Sequence, residues 1–194
     1  MIPPTPASPA NSGADAEDGS ALPAVARAAL LAECTGKAPK ASSWPAATGY
    51  LAQKRPVFVT FFAPDGSVRA SVGSLEATQS DLVTETAASA RLAAQPSSGG
   101  KTEAIVDAKE LKKLTIEVAI LGATERVESI IELDPDIYGV ILTATKTGQR
   151  GVMLPNRPDL NTVDKQLAAI RREAGLRPDE RLRIERFRVE TFRE

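Results

Sequence analysis

The sequence predicts a largely antiparallel α+β fold with flanking helices. Strand-like runs outnumber helical ones, and the links between them read as tight turns and hairpins, not as a regular series of βαβ crossovers. The helical segments carry apolar residues at three- and four-residue spacing, which gives each one face to lay on a sheet. With 194 residues, 42% hydrophobic and 25% charged, the chain is long enough to bury a core in one domain or in one domain with a small lobe.

Residues 1–20 are rich in Pro, Ala, Ser, Gly and acids and offer little to bury, so the expectation is a disordered tail followed by a folded unit over 21–194. Leu22, Val25, Ala29 and Leu30 then recur at helical spacing beside Leu31, and Gly36 is the expected stop. Residues 39–50 read as a loop anchored by Trp44 and Tyr50. The β-branched and aromatic run from Pro56 to Phe62 is a strand, Ala63-Pro64-Asp65-Gly66 is a turn, and Ser67 to Gly73 is the returning partner.

A helix is expected from about Ser80 to Ala94, with the small residues Val83, Ala87, Ala90 and Ala94 on its packed face. Gln95 to Lys101 is a loop by composition. Leu114 to Leu121 alternates most cleanly, placing Ile116, Val118 and Ile120 on one buried side and Glu117 on the other. Tyr138–Thr145 and Arg150–Leu154 form two strands around a Lys146–Gln149 hairpin turn. Asp159 to Ala174 reads as a helix, capped by Asn161 or Thr162 and ended by Gly175. Leu182 to Phe192 is strand-like, but its apolar phase slips between Ile184 and Phe187, which a bulge would explain.

Composition narrows the chemistry. Histidine is absent and Cys34 is the single cysteine, which excludes Ser-His-Asp and Cys-His catalysis, histidine-ligated metals, a cysteine-rich zinc site and an intrachain disulfide. A net charge of −1 provides no general attraction to nucleic acid or acidic membranes. From Leu160 onward nine Lys/Arg face seven Asp/Glu, the balance of a solvated surface and not the basic surplus that nucleic-acid readout needs. Residues 1–10 lack the basic and apolar regions of a secretory signal, and no apolar run approaches the roughly 18 residues of a membrane span, so a cytoplasmic location is expected. Asp134-Pro-Asp136 reads as a solvated turn before a metal site, and Gly148–Gly151 lacks the context of a phosphate loop. No cofactor is implied.

Val57-Phe-Val-Thr60, a turn, and Val68-Arg69-Ala70-Ser71-Val72-Gly73 resemble the hallmark Leu-Arg-Gly-Cys-Ile-Gly region of the AMMECR domain family. Leu114–Leu121 is similar to that family's Glu-Val-Ser-Val-Leu strand, Arg150–Pro155 to its Arg-Gly-Leu-Leu-Leu-Pro segment, and Glu173–Leu176 with Arg186–Phe192 to its C-terminal end. The resemblance implies a larger lobe built from both chain ends, a smaller inserted lobe, and a cleft between them holding the hallmark strand. It also implies divergence: Ser71 stands where the family has Cys, Asn156 where it has Gln, and the Trp-Asp pair opening the next helix is missing.

Arg69 and Arg150 fall on the matching segments, each beside a small polar residue or a tight backbone. With Ser71 and Asn156 they form the candidate ligand-binding set, a guanidinium fork being suited to a carboxylate or phosphate. The alternatives stay open: Arg69 in an ion pair with Glu76 or Glu117, Arg150 projecting from a hairpin end, Ser71 as a packed small polar residue instead of a nucleophile, and Cys34 as a small hydrophobe. The family is also called AmmeMemoRadiSam system protein A. That name implies a place beside a Memo-like protein and a radical S-adenosylmethionine enzyme, and the missing family cysteine and absent histidine favour a non-catalytic scaffold or accessory role there. The alternative is an enzyme or binding protein acting on a small anionic ligand in the cleft.

Overall fold

The structure, a computed structural model, describes residues 19–37, 44–95 and 106–194. Most of the expected N-terminal tail and of the Gln95–Lys101 loop lies outside the described residues. Gly19, by contrast, is buried, because its backbone sits directly on the Phe192 ring.

Helix α1 (Leu22–Thr35) ends at Gly36, whose φ of 66° is the left-handed stop that glycine adopts without a Cβ penalty. Strands β1 (Val57–Phe62) and β2 (Val68–Gly73) form the expected hairpin. Helix α2 (Leu82–Arg91) begins at Asp81, whose side chain accepts from the Thr84 N–H, and the short helix α3 (Ala108–Leu111) is capped likewise by Asp107. Strand β3 (Thr115–Leu121) pairs with β1 and with the C-terminal strand β8 (Val189–Arg193), giving a sheet of order β2-β1-β3-β8.

A second sheet, β4-β7-β5-β6, is built from β4 (Glu125–Arg126), β5 (Gly139–Ala144), β6 (Arg150–Met153) and β7 (Leu182–Phe187). Helix α4 (Val163–Glu173) packs on its outer face. All strand pairs are antiparallel.

The layers run helices, sheet, sheet, helix. One face of the first sheet, with Val57, Val59, Phe61, Ile116, Val118 and Ile120, buries against α1 and α2. Its other face meets the second sheet through Phe58, Ala119, Leu121, Ile141, Leu154 and Phe187. The first sheet draws on both ends of the chain and the second is inserted between them, as the family resemblance implies.

Three expectations need correcting. Strand β3 is covered on both sides, not one, because the second sheet buries Ala119 and Leu121 as completely as the helices bury Val118. Helix α4 starts at Val163 behind the Thr162 cap instead of at Asp159, since Asp159 has a φ of 63° and cannot join a right-handed helix. The phase slip near the C terminus is not a bulge. β7 keeps an unbroken register with β5. Ile184 packs on the α4 side while Phe187 packs between the sheets, so both faces of one strand carry apolar residues. After Phe187 the chain passes through Arg188 and enters the first sheet at Val189.

Candidate ligand-binding cleft

The side chains of β1 that face the second sheet are Phe58, Thr60 and Phe62. Thr60 is the polar residue in an otherwise apolar strand, and it is fully buried. It pairs in register with Ser71 of β2, and the two hydroxyls lie 3.0 Å apart. From the opposite side Arg157, in the loop after β6, donates from Nη2 to Thr60 Oγ1 at 2.9 Å.

Arg157 is 7% exposed, and Glu117 of β3 lies 3.8 Å from its Nη1, too far for a tight ion pair. Its guanidinium also sits 5.7 Å from the centre of the Phe62 ring, which Arg193 of β8 covers at 4.2 Å. Among the described residues, Thr60 is the hydrogen-bond acceptor recorded for a group that carries five N–H donors. Burial holds the guanidinium below its usual pKa; the Glu117 carboxylate opposes that shift and Arg193 adds to it.

The loop that supplies Arg157 is backbone-strained. Asn156 (φ 52°) and Asp159 (φ 63°) both occupy the left-handed region, on either side of Arg157-Pro158. The Asn156 N–H donates to the Pro135 carbonyl and the Leu160 N–H to that of Arg157, which holds the turn in place.

Arg157 and Ser71 line a cavity of about 610 Å³ between the two sheets. Phe58, Val152, Met153 and Leu154 give it mainly apolar walls, and the charged residues Asp159, Arg172 and Glu173 also line it. That volume falls in the usual range for small-molecule sites, roughly 300–1,000 Å³. Thr60 Oγ1 accepts from Arg157, and either hydroxyl can donate in its bond with Ser71, so Ser71 can present a proton or a lone pair to a guest.

The four residues singled out from sequence do not share this cavity. Ser71 lines it. Asn156 lines a smaller polar cavity of about 180 Å³ with Glu117, Asp136 and Thr191. Arg69 is the extra residue where the β1–β2 register shifts, and its guanidinium makes a two-pronged pair with Glu110 at the end of α3. Arg150 opens β6 and pairs with Glu76 at 3.6 Å, so the ion pairs weighed for Arg69 are replaced by one with Glu110. Sequence reasoning passed over Arg157 and Thr60. The available signals were a lone hydroxyl inside an apolar strand and an arginine fixed between Asn156 and Pro158.

Residues 23–192 match the AMMECR1 family. The chain belongs to that family. A protein of Thermotoga maritima is 35% identical over 137 residues, covering 70% of this chain and 76% of its own length. The Clostridium acetobutylicum protein CA_C1420 is 40% identical over 63 residues, 32% of this chain and 13% of that one. The crystal structure of uncharacterized protein PH0010 from Pyrococcus horikoshii superposes with a TM-score of 0.74 at 26% identity, covering 92% of each chain. The PH0010 fold agrees with the two-sheet architecture, in which β2 forms one wall of the cavity.

Proposed function

We propose that this AMMECR1-family protein binds a small, partly apolar anion in the inter-sheet cavity, with Arg157 as the anchor. The observation that carries the reading is a largely buried guanidinium at a cavity wall for which, among the described residues, Thr60 is the recorded hydrogen-bond acceptor. Removing such a charge from water costs several kcal/mol unless hydrogen bonds and an opposite charge satisfy it. Thr60 and a distant Glu117 supply part of that compensation, and a bound carboxylate or phosphate would supply more. Ser71 adds an orienting hydrogen bond and plays no covalent part, since the chain has no histidine to activate it. Arg69 and Arg150 serve as outlying cations: each is held by a partly exposed ion pair, worth about 0–1 kcal/mol, that an arriving anion can exchange.

A thermal-shift screen of small organic anions tests this. Binders should raise the melting temperature of the wild type and not that of Arg157→Gln. A shift that persists without Arg157 would overturn the assignment.

A second reading, an accessory role in the cytoplasm beside a Memo-like protein and a radical S-adenosylmethionine enzyme, is supported by a different surface. Ser129 and Glu132 form a capping box that fixes a short 3₁₀ turn, and that turn holds Ile130 and Ile131 51% and 86% exposed. Mixing the purified chain with those two proteins on a sizing column should give co-elution that Ile131→Glu abolishes. Separate elution at micromolar concentration would count against the partnership.

A further inference from the structure

We propose that Glu117 restricts the cleft to monoanions, so that the guest is a monocarboxylate with an apolar body and dianionic heads such as phosphate are refused. This rests on the ligand-binding reading and specifies which anion that site takes.

The charges around the anchor carry the argument. Glu117 faces one side of the Arg157 guanidinium at 3.8 Å and is itself largely buried. It lines the small polar cavity, while Arg157 and Ser71 line the large one, so the same guanidinium has a fixed anion on one flank and room for a guest on the other. Among the described residues no hydrogen bond is recorded to the Glu117 carboxylate, and its charge acts on the same guanidinium that would meet the guest. Arg193, which pairs in register with Glu117 and lies over the Phe62 ring, lines neither cavity, so Arg157 is the cation that meets the guest's head and Glu117 opposes a second negative charge there.

The rest of the cavity wall adds no cationic surplus, because Arg172 is offset by Asp159 and Glu173. Arg172 and Glu173 also belong to the last turn of α4, so the helix directs the negative end of its dipole toward this space. Phosphate sites are built the other way, from helix N-termini and surplus basic groups. The apolar walls formed by Phe58, Val152 and Leu154 ask for a hydrophobic body behind the head.

The test compares 3-phenylpropionate, phenyl phosphate and the neutral 3-phenylpropanol by calorimetric titration at neutral pH, where the phosphate carries about −1.5 to −2 charges. The proteins are the wild type, Glu117→Gln, Arg157→Lys and Arg157→Gln. The wild type should bind phenylpropionate at least roughly tenfold tighter than phenyl phosphate, and the isosteric Glu117→Gln should shrink that ratio to about threefold or less. Arg157→Gln should lose both anions, and Arg157→Lys should retain part of the binding.

Phenyl phosphate binding equally well or better to the wild type, and lost with Arg157, overturns the monoanion rule and leaves the anion site standing. An unchanged ratio in Glu117→Gln removes Glu117 from the role. No Arg157-dependent binding of either anion, or phenylpropanol binding as tightly as phenylpropionate, removes the site itself. The wild-type ratio tests the monoanion preference even if a variant fails to fold, and Glu117→Ala then takes the place of Glu117→Gln as the test of the Glu117 role.

Discussion

Val118 is the position where the fold can be broken with one atom-level change. It occupies the middle of β3, the strand that joins β1 to β8, and it is completely buried between the sheet and helices α1 and α2. Val118→Ala deletes two methyl groups and leaves a cavity that a strand bonded on both sides cannot close, at a cost of about 2–3 kcal/mol. For a chain of this size each kcal/mol lowers the melting temperature by about 2–4 °C, so a fall of roughly 4–12 °C is expected. Val118→Asp also places a carboxylate between the apolar register partners Val59 and Phe192. The lost burial, about 1.5–3 kcal/mol, adds to several kcal/mol of desolvation, comparable to a typical total stability of about 5–15 kcal/mol. Differential scanning fluorimetry and urea denaturation of both variants, beside the wild type, give the measurement. Soluble Val118→Asp protein melting within a few degrees of the wild type would refute the placement of that face in the core.

Other outcomes follow from named contacts. A chain beginning at Gly19 should melt within a couple of degrees of the full-length protein, whereas Gly19→Val should melt lower, because a side chain there meets the Phe192 ring. Gly139→Ala should cost about 1–3 kcal/mol in urea denaturation, since the added Cβ would fall 2.4 Å from the buried Phe187 ring. Asp81→Ala should cost about 1 kcal/mol at neutral pH through loss of the α2 cap. Burial pushes the Asp81 carboxyl upward, but the Thr84 N–H and the Ser80 hydroxyl outweigh it and hold the pKa below its usual value. A depressed pKa gives stability present above the unfolded value, about 3.9, and lost as pH falls through the folded one. The gap in melting temperature between wild type and Asp81→Ala should therefore narrow as the pH drops below about 4, and a gap independent of pH would contradict the charged cap.

Local chemistry made much of this fold legible in the sequence. Gly36, Gly66 and Gly148 all adopt the positive φ that their turn and cap contexts demanded, and the Ile116-Val118-Ile120 alternation marked a real core face. What escaped depends on which layer lies above a strand, and no local pattern carries that. Ala119 and Leu121 read as an outer face until the second sheet covers them. The slip between Ile184 and Phe187 was visible, but a bulge and a regular strand buried on both faces leave the same trace in apolar phase. The cleft was legible only as far as the hallmark strand: Ser71 is in it, yet Arg69 spends its guanidinium on Glu110. Arg157 reaches Thr60 across 97 positions of sequence, a contact set by tertiary packing and not by spacing.

The sheet change at Arg188 also determines how a guest should register in solution. β7 and β8 are consecutive, so the C-terminal segment ties the two walls of the cleft together, and the Gly122 N–H closes the same junction by donating to the Arg188 carbonyl at 2.9 Å. Thr60 and Ser71 belong to one wall and Arg157, with Val152 and Leu154, to the other, so a ligand touching both exists only while the sheets are packed. Such a ligand stabilises the native state by mass action, about 2.7 kcal/mol at one hundred times its dissociation constant. At about 2–4 °C per kcal/mol this becomes a rise of roughly 5–11 °C, readable without any assumption about catalysis. A compound that binds the first sheet alone would leave the second free to open, and hydrogen exchange would then fall in β1 and β2 but not in β5 and β6. Protection rising in both sheets together is the signature of a guest held between Ser71 and Arg157.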